Sequence, residues 1–172
     1  MKSISKSRII REMWFFLVAA LVVAADQISK YFVRANMSLG QSIPGNGFFR
    51  FTYSTNTGGV WGWFQNHGVV FITFSIIVII VILLFSRHRA AQNMLVKVSL
   101  GLLLGGSIGN LIDRIRFGEV TDFINVGIGS HRWPYFNLAD SSMVVGVILL
   151  IIYILFTMWK EGREEKRFEP KV

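Results

Sequence analysis

From Val69 to Phe85 the chain runs without a single charge and is made almost wholly of Ile, Val, Leu and Phe. At about 1.5 Å per residue this run, completed by its flanks, crosses a hydrocarbon core of about 30 Å. It reads as a spanning helix, and the composition agrees. The 172 residues are 52% hydrophobic and 16% charged, whereas a soluble domain is about half apolar but about a quarter charged. The chain is therefore read as an integral membrane protein. Its net charge of +8 fits basic flanks of membrane spans. No basic patch interleaved with aromatics occurs in a soluble segment, so nucleic acid is not expected as a partner. The absence of cysteine rules out disulfides, thiolate metal sites, a cysteine nucleophile and a thioether-linked lipid on the chain itself.

Three further apolar runs join the first. Met13–Ala25 follows Lys2, Lys6, Arg8 and Arg11 and meets Asp26, Gln27 and Lys30. It reads either as a span continuing to Val33 or as a cleaved secretory signal ending at Val23-Ala24-Ala25. A third run, from Met94 to Ile112, carries Gly101, Gly105 and Gly109 at spacing four, one helix face on which backbones can approach closely. A fourth extends from Asp140 to Trp159. The expected fold is all-α and membrane-embedded, a single domain over 1–172 with spans at about 13–33, 69–86, 94–112 and 140–159. Between the first two spans, Pro44-Gly45-Asn46-Gly47 marks a turn. Phe49, Phe51 and Tyr53 then alternate with polar residues at the period of a strand. Thr57-Gly58-Gly59 is a second turn and 60–64 the returning strand, so a small aromatic sheet over about 44–64 is expected on the bilayer surface. The tail, 160–172, is charged.

Four spans place the N-terminus, the 86–93 loop and the tail on one side, with eleven Lys and Arg, against six on the other. The positive-inside rule then puts both termini in the cytoplasm. All four aspartates, Asp26, Asp113, Asp122 and Asp140, fall on the outer side, where helices leave the membrane. Ionisable groups at that depth are costly and point to function. Asp122 and Asp140 are the candidate pair. Two carboxyls converging on one water split their pKa values, one serving as base and the other as acid. Spacing alone does not bring them together, and Asp140 before Ser141-Ser142 also suits a plain helix cap. Asn110, Asp113, Arg114 and Asn137 are read as supports. Asp26 and Lys30, four residues apart, suit either an ion pair or a substrate contact, and Asn56 suits turn chemistry or the site. His67, His88 and His131 are scattered, so neither a metal nor a Ser-His site is expected, and no cofactor. Two other readings stay open: a small ion- or proton-coupled transporter, and a non-catalytic assembly factor built on the glycine face.

The blocks DQISK (26–30), NTGGVWG (56–62), GGSIGNLIDR (105–114), VTDF (120–123) and FNLADS (136–141) occur together in the order of one family. By these five blocks the sequence resembles the lipoprotein signal peptidases, or signal peptidase II. It departs from them at Gly59 and Trp61, where the family usually has Ala and Phe. The resemblance implies four transmembrane helices with a small extracytoplasmic sheet and a short helix beside it. It implies an aspartic endopeptidase of the bacterial cytoplasmic membrane, with its site on the extracytoplasmic side. The substrate would be a diacylglyceryl-modified prolipoprotein, cut before the lipidated cysteine. Asp122 and Asp140 match the catalytic dyad. Asp26, Lys30, Asn56, Gly106, Asn110, Arg114, Asn137 and Ala139 match positions that line or support the site. The resemblance also favours an uncleaved first span and implies inhibition by the cyclic peptide globomycin. Membrane lipids are the expected surroundings and a monomer the expected state.

Overall fold

A computed structural model describes residues 6–58 and 68–168. Four long helices carry the fold: α1 (Lys6–Asn36), α2 (Gly68–Ser86), α3 (Met94–Phe117) and α4 (Leu138–Phe168). Four strands lie between them: β1 (Ser42–Ile43), β2 (Phe49–Asn56), β3 (Val120–Ile128) and β4 (His131–Arg132). Three helical segments, Gly68–Ser86, Met94–Phe117 and Leu138–Glu164, are long and apolar enough to cross a membrane. The 31-residue α1 is long enough, at about 46 Å, but buries Asp26 and Lys30.

α3 is the central helix and packs on α1, α2 and α4. Its glycines explain why. A Cβ on Gly101 or Gly105 would lie 2.7 Å from the backbone oxygen of Phe15 or Ala19 on α1, closer than atoms pack, so only glycine allows that approach. Phe15, Ala19, Ile82, Val96, Leu100 and Leu104 form the apolar core around this contact. At the end of the bundle away from the sheet, the Lys97 ammonium lies 2.5 Å from Glu12 Oε1 and donates to Ser86 O at 2.6 Å. One buried lysine thus joins α1, α2 and α3.

Both ends of α3 are locally encoded. Asn93 Oδ1 accepts the Leu95 N–H at 2.8 Å, an N-cap. Gly118, at φ +77°, takes the left-handed position that closes the helix. The helix therefore runs five residues past the Ile112 boundary expected from hydropathy, because the cap and not the loss of apolar residues ends it.

The sheet is antiparallel in the order β1-β2-β3-β4. The partner of β2 is β3, with Ser54 opposite Asp122 and Asn56 opposite Val120. This corrects the expected sheet limits: it begins at Ser42 and draws its central strand from 120–128, a stretch read only as a short polar connection. The expected returning strand over 60–64, and the departures at Gly59 and Trp61, lie outside the described residues. No short helix beside the sheet occurs among the described residues. Arg132 rivets the sheet from one side. Its guanidinium donates to Asn125 Oδ1, to Asn125 O at 3.0 Å and to Phe48 O at 3.1 Å.

Candidate active site

The expected pair comes together where β3 and α4 begin. Asp122 is 3% exposed, and both carboxyls line one cleft of about 1140 Å³. Apolar residues of α2 and α4, among them Phe71, Phe74, Val78, Val144 and Val145, form much of its wall. Nothing but hydropathy distinguishes the α2 positions in the sequence, so they were not legible as site residues.

Asp140 is not the cap of α4. Asn137 Oδ1 accepts the Asp140 N–H at 3.0 Å, and Asp140 Oδ2 accepts the Asn137 N–H at 3.2 Å. This reciprocal box makes Asn137 the cap and Asp140 its partner three residues on. The other carboxylate oxygen, Oδ1, accepts Asn110 Nδ2 at 2.7 Å. Asp122 Oδ1 accepts Asn137 Nδ2 at 2.7 Å, and its Oδ2 accepts Asn56 Nδ2 at 3.3 Å. Two amides, Asn110 and Asn137, thus connect the two acids and are themselves joined, Asn137 Nδ2 to Asn110 Oδ1, at 3.1 Å. Lys30 fixes the sense of this relay. Its ammonium donates to Asn110 Oδ1 at 3.0 Å, and because it can only donate, the Asn110 NH₂ is left to face Asp140.

Lys30 also lies 2.8 Å from Asp26 and 3.2 Å from Asp113, all three side chains fully buried. Each of these acids grips the backbone next to a candidate catalytic residue. Asp26 Oδ1 accepts the Ala139 N–H at 3.0 Å, one residue before Asp140. Asp113 Oδ2 accepts the Thr121 N–H at 3.0 Å, one residue before Asp122. Gln27 Nε2 donates to Asp113 Oδ1 at 3.0 Å. Asp26 and Lys30 are therefore a buried ion pair behind the two carboxyls. Asp113, which the sequence reading takes as a support, finds its partners Lys30 and the Thr121 N–H only through the packing of α3 on α1 and β3. Ala139 serves through its backbone. Gly106 lets α4 approach: a Cβ there would meet Ala139 O at 2.5 Å. Arg114 donates to Gly58 O at 3.4 Å, lies over the Phe71 ring, and lines the cleft.

The Asp122 carboxyl is pushed up from 3.8 to about 7. Burial is the largest cause and the neighbouring Asp140 carboxylate the next, opposed by the hydrogen bonds from Asn137 and Asn56 and by Lys30. Near neutral pH a group so placed both holds and releases a proton readily.

The sequence pattern of Signal peptidase (SPase) II matches residues 18–156. This chain belongs to the signal peptidase II family. It is 44% identical over 151 residues to the lipoprotein signal peptidase of Moorella thermoacetica, covering 87% of this chain and 98% of that one. It is 43% identical over 154 residues to the lipoprotein signal peptidase of Bacillus subtilis, covering 89% and 100%. Among solved structures it resembles a bacterial membrane enzyme determined by the in meso method at 2.3 Å resolution. That likeness has a TM-score of 0.76 and 36% identity, over 92% of this chain and 93% of the other. A second such structure, at 1.9 Å resolution, matches with a TM-score of 0.74 and 38% identity, over 82% and 92%. As a signal peptidase II the chain is a membrane protease of lipoprotein processing, acting on the signal peptides of prolipoproteins. Its apolar helices fit that setting.

Proposed function

We propose that this signal peptidase II cuts diacylglyceryl-modified prolipoproteins just before the lipidated cysteine, with Asp122 and Asp140 activating one water. The observation that carries this is the pair of carboxyls on one cleft, bridged by Asn110 and Asn137. The pair shares one proton, and the neighbouring Asp140 carboxylate favours Asp122 as its holder. Asp140 takes a proton from the water as its oxygen attacks the scissile carbonyl carbon. Asp122 donates its proton to the carbonyl oxygen, giving a neutral tetrahedral diol. When the C–N bond breaks, Asp122 recovers a proton from the diol and Asp140 delivers one to the departing amine of the lipidated cysteine. Arg114, at the cleft wall, is suited to orient the peptide. Asp26, Lys30, Asn56, Gly106, Asn110, Asn137 and Ala139 hold the geometry.

In this reading all four helices span a bacterial cytoplasmic membrane as one domain, with both termini inside and the sheet outside. Exposed Phe48, Phe49, Phe51 and Trp133 on the sheet and its connections suit the lipid interface. The acyl chains of the substrate lie along the apolar wall between α2 and α4, globomycin competes for the same cleft, and the enzyme acts as a monomer. The deciding experiment is turnover of a diacylglyceryl-modified prolipoprotein by wild type, Asp122→Asn and Asp140→Asn. Each substitution keeps the shape and removes proton exchange, and is expected to cost about 10²–10⁴-fold. A folded variant with near-normal turnover refutes the two-aspartate mechanism.

A further inference from the structure

A second cavity, of about 390 Å³, lies between α1 and α3 and shares no lining residue with the cleft. Its wall includes Gln27, Tyr31, Arg34, Arg116 and Phe117. Arg34 stands in the last turn of α1 and Arg116 in the last turn of α3. Both guanidinium groups rest on one ring, 4.5 Å and 5.0 Å from the centroid of Phe117. Two like charges so held repel each other, and the acid beside them, Asp113, is shared with Lys30. Arg34 donates to Thr121 Oγ1 at 2.8 Å and forms a long ion pair with Asp113 at 3.8 Å. Arg116 makes no ion pair among the described residues. Guanidinium groups fixed by stacking offer planar, preorganised donors, which match phosphate oxygens better than a mobile lysine does.

The setting narrows the ligand. Tyr31 and Phe32 are exposed on the adjoining face of α1, so the cavity opens beside an apolar surface at the level where α1 and α3 end. We propose that this cavity binds the phosphate group of an anionic ligand, such as a phospholipid headgroup, between Arg34 and Arg116. The ligand's apolar part would lie along Tyr31 and Phe32. The site stands apart from the peptidase reading and is tested by binding alone. Because Arg34 also holds the Thr121 hydroxyl, one residue from Asp122, an occupied site would brace the strand that carries that acid.

The test is native mass spectrometry of the full chain in detergent with phosphatidylglycerol, with diacylglycerol of the same chains, and with inorganic phosphate as competitor. Wild type is expected to retain one phosphatidylglycerol at least tenfold more tightly than diacylglycerol. Arg116→Gln is expected to weaken that about tenfold, while Arg163→Gln leaves it unchanged. Arg163 is the control because it too stacks on a ring, that of Trp159, at 4.3 Å, but lines neither cavity. Competition by millimolar phosphate supports the proposal and assigns recognition to the bare phosphate. Retention despite phosphate supports it and assigns recognition to the lipid. Equal retention of both lipids by wild type, or an equal loss in Arg116→Gln and Arg163→Gln, overturns it.

Discussion

Gly106→Ala separates positioning from stability at this site. The new methyl would lie 2.5 Å from Ala139 O, 2.6 Å from Met143 Cγ and 2.7 Å from Ser142 Oγ. Ordinary contacts begin near 3.4 Å, so the first turn of α4 must retreat by about 0.9 Å. A retreat of that size along the bond takes the Asn110–Asp140 contact, now 2.7 Å, beyond hydrogen-bond range. Overpacking costs about 1–3 kcal/mol, and replacing a helical glycine by alanine returns up to about 1 kcal/mol. The net loss of stability is therefore small, a few degrees in Tm. Turnover should fall about 10²-fold, as expected for a misplacement near 1 Å of a reacting group. Gly101→Ala is the matched control. Its methyl meets Phe15 O at 2.7 Å, a slightly smaller clash against α1 at the level of Phe15, away from the two carboxyls. The assay pairs turnover of lipidated substrate with thermal unfolding in detergent. Gly106→Ala keeping turnover within threefold of wild type, or Gly101→Ala losing as much as Gly106→Ala, would refute the reasoning.

Asp113→Ala leaves the buried Thr121 N–H without its acceptor, at a cost of about 1–3 kcal/mol. It should lower kcat about tenfold with KM little changed, whereas Asp113→Asn, which keeps an acceptor, should recover part of the loss. An unchanged kcat and pH profile in Asp113→Ala would remove that residue from the positioning machinery. The Asp122 carboxyl sits near 7 in the folded chain against an ordinary 3.8, so between those values the folded state holds a proton that the unfolded chain has lost. Stability should therefore fall as pH rises from about 4 to about 7, and Asp122→Asn should flatten the slope and melt higher than wild type at pH 8. Turnover should decline above about pH 7 as the shared proton is lost; a flat rate from pH 6 to 9 contradicts this. At the other end of the bundle, Lys97→Met removes the contacts to Glu12 and Ser86 O. It should cost about 1–3 kcal/mol, less than a fully buried pair because Glu12 can rehydrate. Turnover at low temperature should stay at the wild-type level, and a loss of activity without a loss of Tm would show that the contact does more than hold the helices.

The apolar runs and the five polar blocks already declare a helical membrane protein of the signal peptidase II family, because hydropathy and short motifs are local properties. The glycines at 101, 105 and 109 even announce a close helix contact, since spacing four is itself a geometric statement. The extra turns of α1, α3 and α4 were less legible, because caps such as Gly118 act after the apolar pattern has ended. What the sequence left open is what depends on distant partners. Residues 120–128 look like a polar connection until β2 supplies the hydrogen bonds that make them a strand and set Asp122 opposite Ser54. Asp140 looks like a helix cap until Asn137 takes that place and Asn110 claims its free oxygen. Asp26 and Lys30 are neighbours by spacing, but Asp113 joins them only when α3 packs on α1. Buried charges must find partners wherever the fold brings them, and only the tertiary structure decides which partners those are.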